Sequence, residues 1–190
     1  MKKVLLHACC GPCAEYPLQE LMKQDLEITV YYFNPNIHPV EEWTRRLEQL
    51  KKLTDKYGLK LIVDGGSDPE TWLDWERNGK LDRCRMCYET RLGQAAAIAA
   101  REGMDSFLST LQVSPYQDFE LITKIGQELA NKYNIEYMPV DFRPGYRTGQ
   151  NMAREDGLYR QKYCGCNISL ENSKFREKIL RDLEGLKAQQ

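Results

Sequence analysis

The chain has 190 residues, of which 42% are apolar and 29% are charged, and its formal net charge at pH 7 is −1. This length and composition are typical of a soluble globular protein, and we predict one domain over residues 1–190. No apolar run approaches the ~18 residues that suggest a membrane span, and the small net charge argues against a general nucleic-acid coat while leaving room for RNA on a local basic patch.

Apolar runs and helical patterns alternate along the chain. Residues 1–7 are basic and then apolar, and the shortness of the apolar run predicts a buried strand at 4–6 rather than a signal peptide. A helix at 14–24, a β-branched and aromatic strand at 28–33, an amphipathic helix at 40–57 and a strand at 59–63 follow. The remaining predictions are a short helix at 69–77, a helix from near Cys87 to Arg101, a strand at 106–108, a helix at 117–133, a strand from residue 135, an irregular segment at 141–167 and a C-terminal helix at 171–187.

This alternation predicts an α/β fold, a Rossmann-like open and mostly parallel sheet of about five strands with helices on both faces. Ligands of such sheets bind beyond the carboxyl ends of the strands. Cys9, Cys10 and Cys13 follow the first strand, and Ser109 and Thr110 follow the fourth. We therefore expect a cysteine site at the carboxyl rim of the sheet, with the Ser-Thr pair beside it.

The seven cysteines fall into three tight groups, which are Cys9, Cys10 and Cys13, then Cys84 and Cys87, then Cys164 and Cys166. Clustered thiols are typical of soft-metal binding and of thiol–disulfide exchange. An odd number of cysteines in a chain with long helices is unlike a secreted disulfide framework. We therefore expect a cytoplasmic protein whose clustered cysteines serve metal or redox chemistry.

The residues alone leave the chemistry of the first two groups open. Cys84 and Cys87, near a helix start, fit two metal ligands or a redox pair. Adjacent Cys9 and Cys10 point in different directions, which suits a polynuclear cluster or two metals better than one ion; the alternative is a buried Cys9 beside a Cys10–Cys13 pair. The gap from Cys13 to Cys84 is too long for a zinc ribbon, whose pairs lie about 15–20 residues apart. An iron–sulfur cluster fits better, although spacing alone does not separate iron from zinc.

The third group and the segment before it suggest redox and RNA chemistry. Cys164 and Cys166, separated by one glycine, can close a strained disulfide of the labile kind or add metal ligands. Arginines and tyrosines precede them, and arginine for phosphates with tyrosine for base stacking is one way to hold a single-stranded RNA loop. Arg147, Tyr159 and Arg160 are therefore candidate RNA contacts, with an ordinary solvated loop as the alternative.

Five motifs carry a resemblance to a known family: HACCGPC at 7–13, YFNPNIHP at 32–39, RCRMC at 83–87, STL at 109–111 and LYRQKYCGC at 158–166. In this order and spacing they resemble the QueH family of epoxyqueuosine reductases, from residue 4 to about 170. The resemblance implies cobalamin-independent reduction of epoxyqueuosine to queuosine at the tRNA wobble position, the last step of queuosine biosynthesis. The epoxide becomes an alkene and its oxygen leaves as water, which takes two electrons and two protons.

The resemblance also implies roles for individual residues. The implied ligands of a [4Fe–4S] cluster are Cys9, Cys10, Cys84 and Cys87, and the implied redox-active pair, which forms a disulfide bond when oxidised, is Cys164 and Cys166. Cys13 stands at a position where the family also uses aspartate, and it is either a ligand of a second, mononuclear iron or a neighbour of the cluster. The candidate substrate contacts are Ser109, Thr110, Arg147, Tyr159 and Arg160. The implied partners are a tRNA bearing epoxyqueuosine and an electron donor.

Two other functions compete with this reductase. A metal-free thiol–disulfide oxidoreductase predicts a colourless protein whose activity survives chelation. A zinc-stapled RNA-binding module predicts one zinc per chain, unfolding on chelation and no dependence on Cys164 or Cys166. The proton donor is also open at this point, with Tyr163, Tyr159 and His7 as candidates.

Overall fold

The computed structural model describes residues 1–68, 70–72 and 80–188. Its strands are β1 (Lys2–His7), β2 (Leu26–Tyr32), β3 (Lys60–Val63), β4 (Ser106–Ser109) and β5 (Glu136–Tyr137). Its helices are α1 (Gly11–Met22), α2 (Val40–Tyr57), α3 (Lys80–Arg101), α4 (Phe119–Tyr133), α5 (Tyr146–Glu155), α6 (Asn167–Glu171) and α7 (Arg176–Lys187), with short 3-10 helices at Thr110–Val113 and Arg143–Gly145. Residues 70–72 are helical, and the rest of the helix predicted at 69–77 lies outside the described residues.

The five strands form one sheet with the order β3-β2-β1-β4-β5, and every neighbouring pair is parallel. β1 lies at the centre, where Leu6 is in register with Val30 of β2 and with Leu108 of β4. Parallel neighbours require crossover connections, which helices usually provide. The predicted open, parallel sheet is confirmed.

Alternate residues of β1 face two separate apolar cores, because side chains alternate across a strand. Val4 and Leu6 pack with residues of α1 and α2, among them Leu18 and Leu50. Leu5 packs on the opposite face with residues of α3 and α4. Helices therefore cover both faces of the sheet, as predicted. Within the described part of the chain, no helix is both long and apolar enough to cross a bilayer.

The segment 141–167 is not irregular throughout, because it contains α5. The buried residues of α5 are Gly149 and Ala153, and a Cβ added at Gly149 would lie 3.1 Å from the Tyr16 Cβ of α1. A Cβ at Gly145, just before α5, would overlap the Tyr16 ring. Small residues thus allow α5 to lie close to α1. They also leave little apolar periodicity, which is why the sequence pattern did not predict this helix.

The C-terminal helix begins at Arg176 and not at the predicted residue 171. α6 ends at Glu171, and the chain turns at Ser173 before α7 starts. The Ser173 hydroxyl accepts a hydrogen bond from the backbone N–H of Phe175 at 3.2 Å. Local side-chain hydrogen bonds of this kind compete with helical ones, which explains the break. The turn places Phe175, 42% exposed, at the start of α7.

Candidate metal centre and active-site cavity

Three buried cysteines lie where β1 leads into α1. β1 ends at His7, α1 begins at Gly11, and Cys10 is the extended residue that precedes the helix. The sulfurs of Cys9, Cys10 and Cys13 all lie within 4.8 Å of one another. A helix N-terminus favours negative charge, so this turn suits thiolates. It lies at the carboxyl edge of the central strand, where the cysteine site was predicted.

The three thiols differ in the direction in which their surroundings shift the pKa. Hydrogen bonds from Cys10 and Cys13 hold the pKa of Cys9 well below its usual range, and Arg91 and the Thr110 hydroxyl lower it further. Burial raises the pKa of Cys10. Hydrogen bonding to Cys10 and Cys9 raises the pKa of Cys13. The surroundings therefore favour a thiolate at Cys9 over one at Cys10 or Cys13, and metal binding would displace the remaining thiol protons.

Cys84 and Cys87 both lie on α3, which begins at residue 80, earlier than the start predicted near Cys87. Residues three apart share one face of a helix. Cys87 is buried, and burial raises its pKa to about 12. Cys84 is half-buried beside the core formed by α3 and α4. The tight sulfur group found among the described residues includes neither of them, so the predicted four-ligand set is divided between the start of α1 and α3.

Arg91 of α3 lies among all three cysteine groups. It is 1% exposed, its Nη1 is 3.8 Å from the Cys87 Sγ, and its Nη2 donates to Asn34 Oδ1 at 2.7 Å. Burial alone lowers the pKa of Arg91, but charge at Cys87, Cys9 and Cys164 outweighs burial and raises it. The contacts that the described residues make with Arg91 include no carboxylate. Burial raises the pKa of Cys87 and of Cys164, so without a metal both stay neutral at pH 7, and of these three sulfurs only Cys9 lies where the thiolate is favoured.

Cys164 and Cys166 are free thiols with different surroundings. Cys164 is exposed at the wall of a cavity, where Gln117 Nε2 lies 3.6 Å from its Sγ. Cys166 packs instead against a small buried cluster that contains Cys87. Gly165 between them has a φ of +133°, a conformation that favours glycine. The two thiols thus face different parts of the site.

Arg46 of α2 holds the backbone of this pair in place. It is 1% exposed, and its Nε donates to the Glu42 carboxylate at 2.7 Å. Its two terminal nitrogens donate to the carbonyl oxygens of Cys164 at 2.8 Å and Tyr163 at 3.0 Å. The buried Glu42 also accepts from the Tyr159 hydroxyl at 3.1 Å. The planar guanidinium therefore binds the Tyr163–Cys164 backbone through two donors while its third donor binds Glu42 of α2.

A cavity of about 530 Å³ opens over the cysteines. Its buried part includes Cys9, Cys13 and Arg91, and Cys164 lies in its wall. The side-chain nitrogen of Gln161, also in the wall, lies 2.9 Å from the Cys10 Sγ and 3.3 Å from the Cys13 Sγ. Volumes of this size are typical of small-ligand sites.

The structure places Ser109 and Thr110 beside the cysteines, as predicted. Thr110 lines the cavity, and its Oγ1 accepts the backbone N–H of Cys9 at 3.2 Å. Ser109 is fully buried, with its Oγ 2.8 Å from Nδ1 of His7. His7 Nε2 lies 3.1 Å from the Phe33 carbonyl oxygen, so Nε2 carries the proton and Nδ1 accepts from Ser109. Burial lowers the pKa of His7 to about 3, which leaves it neutral and unsuited as an acid at pH 7.

The candidate RNA contacts differ in their exposure to solvent. Arg147 and Arg160 are exposed. Tyr159 is half-buried, and the guanidinium carbon of Arg45 lies 3.2 Å from its ring centroid. Burial raises the pKa of Tyr159 and of Tyr163, so both keep their phenol protons. The hydroxyl and the ring of Tyr159 are thus engaged with α2.

Sequence reasoning missed three polar side chains of this site, Arg46, Arg91 and Gln161. A signal for the arginines was present in the helix patterns. Arg46, for example, lies between Trp43 and Leu50 on the apolar stripe of α2, and a charged residue on such a stripe is buried only when it is paired. Gln161 lies in a segment without periodicity, so no pattern pointed to it.

Comparison with known proteins identifies the family. A family model described as epoxyqueuosine reductase QueH matches residues 4–172. The epoxyqueuosine reductase QueH of Dehalococcoides mccartyi is 35% identical over 167 residues, which are 88% of this chain and 92% of that protein. The chain belongs to the QueH family. The QueH proteins of Haemophilus influenzae (34% identical, 94% of this chain and 76% of that protein) and Thermotoga maritima (32% identical, 90% and 91%) are further relatives.

As a member of the QueH family, the chain is an oxidoreductase, an epoxyqueuosine reductase that catalyses the last step of queuosine biosynthesis. Two solved structures share its fold. One is described as a predicted subunit of a tRNA methyltransferase from Methanocaldococcus jannaschii (TM-score 0.56, 18% identity, 82% of this chain and 76% of that one). The other is the U34-tRNA thiolase NcsA from Methanococcus maripaludis with its [4Fe-4S] cluster (TM-score 0.55, 15% identity, 99% and 67%). At these identities the likeness shows the fold alone.

Proposed function

We propose that this QueH protein holds a [4Fe–4S] cluster through Cys9, Cys10, Cys84 and Cys87. Thiolate sulfurs are the ligands that iron–sulfur clusters use, and the start of α1 and the face of α3 supply them from two directions. A cluster of four irons is larger than one ion, so its ligands need not all belong to the tight sulfur group. When bound, such a cluster supplies single electrons at a low potential.

The surroundings of Arg91 carry this proposal. A buried guanidinium is costly unless negative charge compensates it. One cysteine from each group, Cys9, Cys87 and Cys164, lies close enough for its charge, when ionised, to raise the pKa of Arg91. Without a metal, burial keeps Cys87 and Cys164 as neutral thiols, which leaves Arg91 poorly compensated. Thiolates that ligate a metal centre keep their negative charge, so they fit this cation.

Cys13 is the proposed ligand of a second, mononuclear iron. Its sulfur lies within 4.8 Å of those of Cys9 and Cys10, and it lines the cavity beside Gln161. This position is open to the substrate side. If Cys13 is only a neighbour of the cluster, the protein holds four irons and not five.

We further propose that Cys164 and Cys166 supply the two electrons and two protons of the reaction. Oxidation of two thiols to one disulfide releases two electrons and two protons. The epoxide takes up both as its two C–O bonds break, the alkene forms, and the oxygen leaves as water. Cys164 faces the cavity and is therefore the thiol nearer the substrate. An electron donor outside the chain then restores the two thiols.

The substrate is proposed to be one nucleotide of a tRNA, extruded from the anticodon loop into the cavity. The volume of about 530 Å³ supports this, because enzymes that act on a base commonly take it out of the stack. Arg147 and Arg160 are exposed and are the proposed contacts to loop phosphates. Thr110 lines the cavity, while Ser109 and Tyr159 support its walls from buried or half-buried positions.

Anaerobic purification followed by iron and sulfide analysis and a visible spectrum tests this proposal. We expect a brown protein with about four irons and four sulfides, and about one iron more if Cys13 binds the second site. Cys84→Ser should lower the iron content. Cys164→Ser is the matched control, because it should keep the iron and lose turnover.

Two results would contradict the cluster. A protein that stays colourless after reconstitution with iron and sulfide, yet reduces its substrate, would be a metal-free dithiol enzyme. A protein that holds one zinc and does not depend on Cys164 would be a zinc-stapled binding module.

A further inference from the structure

Two aromatic side chains are exposed at the cavity. Tyr116 is 82% exposed and Phe175 is 42% exposed. In the described part of the chain, Tyr116 and Phe175 are the aromatic members of the exposed large apolar side chains. Both line this cavity. The exposed part of an aromatic ring gains none of the stabilisation that burial provides, and this part is largest at Tyr116. Two such rings at one opening therefore need an explanation other than folding.

Tyr116 is held in place without being covered. It follows the 3-10 helix at Thr110–Val113, and its backbone N–H donates to the Ser114 hydroxyl at 3.3 Å. Its ring contacts that of Tyr146 of α5 edge to face, with centroids 6.1 Å apart and planes at 86°. Edge-to-face packing fixes a ring while leaving a face open for a flat partner.

Phe175 lies among lysines. The Nζ atoms of Lys174 and Lys162 lie 5.3 Å and 6.0 Å from its ring centroid, and both lysines line the cavity. Desolvation and then the neighbouring Lys178 lower the pKa of Lys162. One carboxylate, that of Asp182, lies 3.9 Å from Lys162. The local charge is thus positive, although the whole chain has a net charge of −1.

The size of the cavity indicates which part of the RNA would contact these aromatic rings and lysines. A volume of about 530 Å³ is in the range of small-ligand sites and suits one reacting nucleotide, which would leave the nucleotides before and after it in the strand at the opening. There an unpaired base offers a flat face and each phosphate offers a negative charge. Aromatic rings with nearby cations are the surface on which single-stranded RNA stacks.

We propose that Tyr116, supported by Tyr146, stacks on the base next to the reacting nucleotide, and that Lys162 and Lys174 beside Phe175 bind the adjoining phosphates. The inference rests on the proposed function and adds to it the subsite for the neighbouring nucleotide. It replaces Tyr159, whose ring is engaged with Arg45, as the stacking side chain.

The proposed stacking platform consists of Tyr116, Tyr146 and the two lysines beside Phe175. Binding of an anticodon stem-loop RNA to the reconstituted holoenzyme, measured by fluorescence anisotropy, tests it. Tyr116→Leu should weaken binding by roughly fivefold to a hundredfold, because it removes one base–aromatic stack. Tyr116→Phe keeps the ring and should stay within about twofold of wild type. Met22→Leu, at a 44% exposed position on α1, is the control for an exposed apolar residue elsewhere. Lys174→Gln should weaken binding and reduce its salt dependence.

Stem-loops that lack the base on one side of the wobble nucleotide identify the partner of Tyr116. The loss caused by Tyr116→Leu should disappear on one of the two abasic RNAs, because that RNA no longer has the base that stacks. An unchanged affinity of Tyr116→Leu, or the same loss on every RNA, would overturn the platform. Lack of reductase activity in the wild type would contradict the proposed function, whereas the comparison of RNA affinities would still test the proposed stacking platform because it needs no turnover.

Discussion

Two buried arginines contact the site from helices on opposite faces of the sheet, Arg46 from α2 and Arg91 from α3. Arg91 lies 3.8 Å from the Cys87 sulfur, whereas Arg46 pairs with the Glu42 carboxylate at 2.7 Å. Arg46 also donates to two carbonyls of the Tyr163–Cys164 backbone, so one side chain joins a buried ion pair to the redox segment. Breaking a buried pair by removing one partner is far more damaging than replacing both.

Arg46→Met should lower the free energy of unfolding by roughly 3–5 kcal/mol, because Glu42 would stay buried without its cation. Adding Glu42→Gln to this variant should recover part of the loss. Urea unfolding of the metal-free proteins, followed by circular dichroism, measures both. Equal midpoints for the single and the double variant would show that the uncompensated carboxylate is not the cause.

His38 gives the fold a dependence on pH. It is 4% exposed, and its Nδ1 lies 3.0 Å from the Ser67 hydroxyl, which donates to the Ile37 carbonyl oxygen at 2.7 Å. Nδ1 therefore carries the proton, and Nε2 is buried without a hydrogen-bond partner among the described residues. Burial lowers the pKa of His38 to about 4, against the opposing charge of Asp68.

The unfolded chain binds this proton more readily, since an ordinary histidine has a pKa of about 6.5. The contribution of His38 to stability is complete above about pH 6.5 and decreases as the pH falls towards 4. His38→Gln should therefore flatten the slope of unfolding free energy against pH in this range. Parallel slopes for the variant and the wild type would contradict the assignment.

At the scale of elements, the first turn of α1 depends on close contact with α2. A Cβ added at Gly11 would lie 2.8 Å from the carbonyl oxygen of Gln49, closer than real Cβ atoms approach. Gly11→Ala should push the helix start outwards, displace Cys10 and Cys13, and lower both the melting temperature and the iron content of the holoprotein. Gly185→Ala is the matched control, because an added Cβ there meets nothing within 4 Å, and it should stabilise α7 by up to ~1 kcal/mol. Normal iron content in Gly11→Ala would show that the turn adapts.

Elements with a strong apolar pattern were predictable, and those built on small residues were not. The strand near 28–33 and the helix at 40–57 were confirmed because their buried faces consist of large apolar side chains at regular spacing. α5 faces α1 with Gly149 and Ala153, which give no such signal. The break before α7 arises from the Ser173 hydroxyl, a local contact that competes with a pattern otherwise typical of a continuous helix.

At the scale of the molecule, the location of the site was predictable from topology. Parallel strands bring their carboxyl ends to one edge, which places the Cys9 turn beside Thr110 although they are about a hundred residues apart. Which thiols approach one another was not predictable. Cys164 is placed by hydrogen bonds to α2, and such contacts between distant segments leave no trace in sequence periodicity.

Removal of the metal should leave the protein folded. Cys9, Cys10 and Cys13 belong to one of the two cores on the faces of the sheet, but most members of both cores are aliphatic and aromatic side chains, which pack without a metal. After anaerobic chelation we expect an unchanged far-ultraviolet circular dichroism spectrum and cooperative unfolding, with loss of reductase activity. Unfolding on chelation would instead indicate a structural metal.

The position of Cys164 has a consequence for the order of events in turnover. If the electron donor is a thiol, it must reach Cys164 through the cavity, since Cys166 packs against the buried side chains of Trp72, Met86 and Cys87. RNA and donor would then compete for one opening, and the oxidised enzyme must release its product before it is reduced. Initial rates should follow ping-pong kinetics, with parallel double-reciprocal lines at several donor concentrations. Intersecting lines would mean that electrons enter by a second route while the RNA stays bound.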